Sequence, residues 1–357
     1  MQARKSVPIA VGIALAVVCG LIAWRHGRPA APSAPPPAAA TSPGPRPAAP
    51  ARSTAARPAP PPPSKRAAPA PAARWTAPWG AGPGALGHTR PSEGNPEAPM
   101  AFAVAHDGSL WVLDQVNARL VHFGRDGAAS AVPIDARAPR DLAVAPDGTL
   151  ALLDRQGQAR VQLLSPTGRA IGALPLAGKG IDQPGAVTSV IVDGDTVYAE
   201  REHGQLVALG NTQGQASATR AELQGRPSRD GTSTLLAGIV DRAAGRLVLA
   251  VGDRRTGQNR ATREIDLGRQ VLAIALLDSD LHGTVYLAAL QGGDGAAPEL
   301  LLMCAAESDA HLLGQVPLPA NTGPEETTRD LTALDSGGVL YAERGSQGVR
   351  FVQVGCP

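Results

Sequence analysis

Aromatic residues make up only 3% of this chain, too few for a platform that stacks sugars. Cysteine is nearly absent, at three residues. No Cys-x-x-Cys pair or histidine cluster stands at zinc-ligand spacing. No Gly-x-Ser-x-Gly elbow presents a nucleophile, and the GKG at Gly178 lacks the Ser/Thr and upstream glycine of a phosphate loop. Acid is missing from one end: residues 1–73 hold nine Lys/Arg and no Asp or Glu. That leaves 24 of the 33 basic residues against all 31 acidic ones, so the formal +2 divides into +9 and −7. The mildly acidic remainder lacks the clustered basic surface that nucleic acid requires. These absences assign no catalytic residue, no metal and no cofactor.

The basic end is not built to fold. After a short tail (1–6), Val7 to Trp24 is eighteen residues without a charge. At ~1.5 Å per residue such a helix spans roughly 27 Å, enough to cross the hydrocarbon core of a bilayer. Arg4 and Lys5 precede it, and Trp24, Arg25, His26 and Arg28 follow as an interfacial anchor. A cleaved signal peptide competes, but RHGRPAAP offers no small-x-small site clear of proline. Residues 25–73 are proline, alanine and scattered Arg/Lys, with nothing apolar enough to repay ordering. In polyproline II at ~3.1 Å per residue the stretch from Pro29 to Ala73 reaches on the order of 140 Å. Charge on the two sides of the apolar segment nearly balances. The reading is nonetheless a single-pass anchor in a bacterial inner membrane with the rest of the chain on the periplasmic side.

What is there begins at Met100, with MAFAVAHDGSLWVLDQVNARLVHFGRDG. Alternating apolar runs meet Asp-Gly turns, the strongest short-range hairpin signal. The phrase returns about forty residues later as DLAVAPDGTLALLDRQGQARVQLLSPTG, from Asp141. A leading glycine and apolar run then recur at Gly108, Gly148, Gly194, Gly245, Gly283 and Gly338. Upstream of most lies another strand (AFAVAHD, DLAVAPD, VTSVIVD, TLLAGIVD, VLAIALLD, DLTALD). Six units of about four strands predict an all-β fold, a six-bladed β-propeller over 74–357. In the fourth unit, Arg254 to Gly268 offers too little sequence for two clear further strands.

WGAGPGALG (Trp79), leading through a proline to the Met100 phrase, resembles an NHL-repeat propeller. In that family a Gly-rich turn precedes a Pro-x-hydrophobic-Ala-Val-Asp strand, the next strand ends in Asp, and an Asn-Arg pair opens the third. Asp114, Asn117 and Arg119 nearly fit, with Ala118 intervening. The match is good over 75–176, fair at 187–210 and 329–355, and poor between. The resemblance implies a fold that hosts enzymes, binders and scaffolds alike. It also implies that RWTAPWG (Arg74 to Gly80) completes the last blade and closes the ring, removing both open edges. Some six-bladed propellers are calcium-dependent lactonases; none of the five asparagines here (Asn95, Asn117, Asn211, Asn259 and Asn321) opens an inner strand.

Cys19 falls in the apolar segment, leaving Cys304 and Cys356. A disulfide between them would close a loop of about 52 residues and contribute roughly 4 kcal/mol. Both sit at ends of third strands in neighbouring blades, and a bridge needs Cα atoms within about 7 Å, so bridged and separately buried thiols are both open.

In a propeller the Asp-Gly turns lie on one face, and the second-to-third and inter-blade loops on the other. That second face collects Asp114, Asp154, Glu200, Glu202, His203 and Glu343 from strand ends, and Arg140 and Arg329 from blade entries. It also collects the long loops Gly80 to Pro99, Ala177 to Ala186, Asp253 to Arg260, Leu290 to Pro298 and Pro319 to Thr328. Loops on a rigid scaffold carry function, so these eight residues are the candidate binding set. Plainer roles compete: Asp114 and Asp154 bonding the following turn, Glu200 and Glu343 paired with Arg201 and Arg344, His203 as a polar loop residue. The expectation is a non-enzymatic, membrane-anchored propeller that binds a protein or cell-envelope partner. A calcium-dependent lactonase-type hydrolase and a spacer domain without a specific ligand are the alternatives.

Overall fold

A computed structural model describes residues 72–201, 204–293 and 295–357. The expected tail, membrane helix and nearly all of the linker lie outside the described residues, as do Glu202 and His203. Among the described residues, no helix is long and apolar enough to cross a membrane.

The strands form six four-stranded antiparallel sheets. The first strand, β1 (Ala73–Pro78), stands apart from its neighbours in sequence. Blade 1 is β2 (Ala101–Val104), β3 (Leu110–Asp114), β4 (Arg119–Phe123) and β5 (Ala129–Pro133); blade 2 is β6 (Pro139–Val144), β7 (Leu150–Asp154), β8 (Arg160–Leu164) and β9 (Ala170–Pro175). Blade 3 is β10 (Val187–Asp193), β11 (Thr196–Arg201), β12 (Gln205–Asn211) and β13 (Glu222–Gln224); blade 4 is β14 (Arg226–Pro227), β15 (Ser233–Asp241), β16 (Arg246–Asp253) and β17 (Asn259–Asp266). Blade 5 is β18 (Val271–Ser279), β19 (Thr284–Gly293), β20 (Ala296–Ala306) and β21 (Leu312–Pro319); blade 6 is β22 (Leu331–Ala333), β23 (Val339–Gly345) and β24 (Gly348–Val354), with β1 as its outermost strand. The chain is a six-bladed β-propeller.

The ring closes as the blade arithmetic implies. β1 runs antiparallel to β24, with Trp75 opposite Phe351 and Ala77 opposite Val349. Trp75 is buried, and its indole Nε1 donates to the Gly124 carbonyl of blade 1 at 3.0 Å. Around it Phe102 meets Phe351 edge-on with ring centroids 5.4 Å apart, a favoured aromatic geometry. Such buried clusters glue blades 6 and 1, 1 and 2, 2 and 3, 4 and 5, and 5 and 6. Blades 3 and 4 share none among the described residues. Ion pairs join them instead, Arg226 to Glu200 at 2.9 Å and Arg254 to Asp193.

Blade 4 differs from the sequence expectation by one strand. TLLAGIVD was read as a first strand; it is β15, the second, and GRLVLAV is the third. The true innermost strand, β14, is only Arg226-Pro227, which pair with Leu235 and Thr234. Two residues carry no alternation, and proline donates nothing to a ladder, so no periodic signal marked it. The slip exchanges faces. The Asp253–Arg260 turn, expected among the long loops, joins the third and fourth strands and lies with the Asp-Gly turns. There Arg254 pairs with Asp193 and Arg260 donates to Ser233 Oγ at 3.1 Å. Leu290 to Pro298, expected as a loop, is mostly hairpin, since β19 and β20 extend to Gly293 and from Ala296.

Cys304 and Cys356 are bridged, with Cα atoms 6.1 Å apart. Third strands of neighbouring blades come close enough here because Gly314, opposite Cys304 in the sheet, packs against Cys356 without a side chain.

Candidate functional site

The strand ends and inter-blade loops of one face surround a cavity of 930 Å³ at the channel mouth, within the range of ligand sites. Of the expected residues, Arg140, Glu200 and Arg329 line it. Asp114, Asp154 and Glu343 do not, and each is bound up in local structure.

Asp114 is fully buried. One carboxylate oxygen accepts from Gly87 N at 2.9 Å, the other from Asn117 Nδ2 and Arg119 Nε, both at 2.8 Å. Arg119 in turn donates to the carbonyls of Ala81, Gly82 and Ala85. The Asp/Asn/Arg spacing therefore pins the Gly-rich loop that enters blade 1. A Cβ at Gly87 would lie 2.5 Å from the Val116 Cβ, so glycine is required there. Asp154 repeats the staple through Gly157 N at 2.7 Å and Arg137 N at 3.1 Å. Glu343 takes a proton donor not from Arg344 but from Arg350, its register partner across the sheet, at 2.7 Å. Glu200 likewise passes over Arg201 and is held in bidentate fashion by Arg226, with both bonds at 2.9 Å.

Arg329 forms part of the cavity floor. From the entry to blade 6 it reaches past blade 1 to the inner strands of blades 2 and 3. It donates to both Asp141 oxygens at 3.0 and 2.7 Å, to Ser189 Oγ and to the Val190 carbonyl. Burial disfavours its charge, but Asp141, with help from Asp278 and Glu200, more than offsets this and holds the guanidinium above its ordinary pKa. Asp141 is itself fully buried. This pair braces the channel. Arg229 braces the other end, donating to Asp278 at 2.9 Å and Asp335 at 2.7 Å.

The four carboxylates on the cavity wall all have cationic partners. Besides Glu200 with Arg226, Glu325 pairs with Arg90 at 2.7 Å and His88 at 2.8 Å, Glu326 with Arg140 at 2.6 Å and Asp330 with Arg344 at 2.6 Å. Burial works against ionisation of Glu325, but hydrogen bonds from His88, its own backbone and Arg90 prevail and lower it to about 2.

Arginine is in excess on the same wall. Arg155 donates to the Val187 carbonyl at 2.8 Å, and Arg242 to the carbonyls of Val271 and Leu272. Among the described residues neither is ion-paired to a carboxylate, although Glu326 is near enough to Arg155 to act on it electrostatically. Burial, then repulsion from Arg140, pushes the Arg155 guanidinium down, and the buried Nε atoms of Arg140 and Arg155 have no acceptor. Sequence reasoning missed Arg155, Arg226 and Arg242. Only Arg226 had a findable signal, an isolated arginine just before proline at a blade entry.

No family model and no curated protein matches the chain. Among solved structures, a streptogramin B lyase matches at 11% identity with a TM-score of 0.38, over 71% of this chain and 93% of the other. The C-terminal WD40 domain of Sif2 matches at 12% and 0.41, over 75% and 84%. BamB from Moraxella catarrhalis matches at 13% and 0.33, over 72% and 78%. Likenesses this distant carry no argument about function, and the propeller assignment stands on the strand pairing itself.

Proposed function

We propose that the chain is a non-enzymatic, NHL-like binding propeller whose loop-rich face receives an anionic partner, a protein or cell-envelope component. The observation that carries this reading is the cavity wall, where, among the described residues, Arg155 and Arg242 are not ion-paired while each lining carboxylate is. Charge-assisted hydrogen bonds from such groups are strong and directional.

The apolar run at 7–24 supports a membrane anchor, with the propeller in the periplasm. The Cys304–Cys356 bridge supports an oxidising compartment. If so, maleimide labelling of the denatured, unreduced protein from cells reaches Cys19 alone; labelling of all three cysteines would place the propeller in a reducing compartment.

The face assignment is tested by photo-crosslinking from the full-length chain in its native membrane. A photoreactive residue at Thr328, on the cavity wall, should give a discrete adduct, and one at Asp107, on the opposite turns, should not. Adducts from Asp107 alone would move the working surface to the other face.

A further inference from the structure

In five blades the innermost strand runs beside its second strand for three or more paired residues; in blade 4 the inner strand ends after two. The ladder on the channel side of β15 therefore stops at Leu235. Among the described residues nothing pairs with that edge over residues 236–241. Six residues at ~3.4 Å each give an open edge of roughly 20 Å. The gap lies in the inner ring of the propeller between blades 3 and 5, and Arg226 spans its lower end from Glu200 to the Leu277 carbonyl.

The surfaces bordering the gap behave as if a neighbour were missing. In β2, Ala101, Phe102 and Ala103 are all buried. In β18, Leu272 is 36% exposed, and Ala273 and Ala275 are exposed as well. On β15, Val240 is 44% exposed and Leu236 to Ile239 are half-buried. An unpaired sheet edge beside apolar side chains is the arrangement that takes an added strand: main-chain hydrogen bonds give affinity and alternate side-chain pockets give specificity. Arg242 stands at the upper end of this edge and Arg155 across the mouth, neither ion-paired among the described residues.

We propose that the gap is a docking groove for an extended, acidic segment of a partner protein, which adds as the missing inner strand of blade 4. The chain's own N-terminal region does not fit. Its nine basic and no acidic residues oppose the arginines, and proline cannot donate to the ladder. The proposal rests on the loop-rich face being the binding face.

The test uses the full-length chain in detergent and an array of capped hexapeptides permuting Val, Ile, Thr, Leu, Asp, Glu and Lys. Bound sequences should be rich in Asp or Glu and poor in Lys. N-methylation of alternate amides in the best binder should weaken it at least tenfold for one alternating set and less than threefold for the other. Ala275→Trp should reduce binding at least tenfold without lowering the melting temperature; Ala273→Trp serves if that variant melts early. Arg155→Glu with Arg242→Glu should turn the preference toward Lys. No enriched peptide, equal sensitivity to every N-methyl, competition by free glutamate as strong as by peptide, or unchanged binding in the tryptophan variants would each overturn strand addition. None of those touches the face assignment. Peptide binding lost only in Asp107→Lys with Asp147→Lys would sink the face assignment itself.

Discussion

Blades 1 and 2 and blades 4 and 5 solve the same packing problem differently. In the first pair β3 and β7 are each five buried residues ending in a buried aspartate, and that aspartate staples the next turn. In the second pair strands run to eight, nine, ten and eleven residues, one inner strand shrinks to two, and the channel wall is exposed. The repeated phrase encodes packing, so it is clearest where whole strands are buried. Where it fades, the ring has traded internal contacts for a cavity, as expected if functional sites break local rules.

The largest effect should come from opening the regular side. Chains beginning at Ala81 lose β1 and expose β24 and the Phe102/Phe351 cluster. They should aggregate or melt far below chains beginning at Arg74 when followed by circular dichroism. Equal melting would mean that β1 adds nothing to closure.

Next is the brace between blades 6 and 2. Asp141→Ala leaves Arg329 buried without its counter-ion, a change that typically costs 3–5 kcal/mol. Urea melts should show it. Asp114→Ala, which leaves Gly87 N without an acceptor and takes the carboxylate from Arg119 while Arg119 keeps three loop carbonyls, should cost less, about 1–3 kcal/mol. The reverse order would mean that the regular staple outweighs the channel brace.

Smaller still is the tie between the two halves, where Glu325 on the loop from blade 5 holds His88 and Arg90 on the loop into blade 1. Because its folded pKa lies near 2 against 4.5 ordinarily, its contribution is complete above about pH 4.5 and disappears as pH falls toward 2. The shift alone corresponds to roughly 3 kcal/mol, and the exposure of Arg90 brings the expected contribution down to about 1 kcal/mol. The melting difference between the native chain and Glu325→Gln should shrink across that window, and a difference that does not change with pH would remove Glu325's charge from the account. The smallest effect is expected on the irregular side: Ala275→Trp should leave stability within about 0.5 kcal/mol while affecting binding most.

What the sequence disclosed follows the range of each interaction. The Asp114/Asn117/Arg119 staple spans five residues and is visible as a motif; Asp114 takes the plainer role weighed for it, bonding the following turn through Asn117. The closing strand was visible because RWTAPWG resembles a blade's end with no blade before it. Arg329 and Asp141 meet across 188 residues, and Glu200 and Arg226 across 26; charges carry no period, so nothing local foretold either pair. Blade 4 failed for a third reason. Its inner strand is two residues long, a single period of the alternation by which strands are recognised.

The way β1 is seated also determines how the ring bears load. β24 is fastened on both sides, by the β23 ladder and, through Cys356, by a covalent bond to blade 5. β1 is held to β24 by hydrogen bonds, and to blade 1 by the Trp75 indole on the Gly124 carbonyl. Tension along that strand loads its hydrogen bonds together, in shear, while a sideways pull breaks them one at a time. Under force the ring should therefore part first between β1 and β24, well before the disulfide carries any strain.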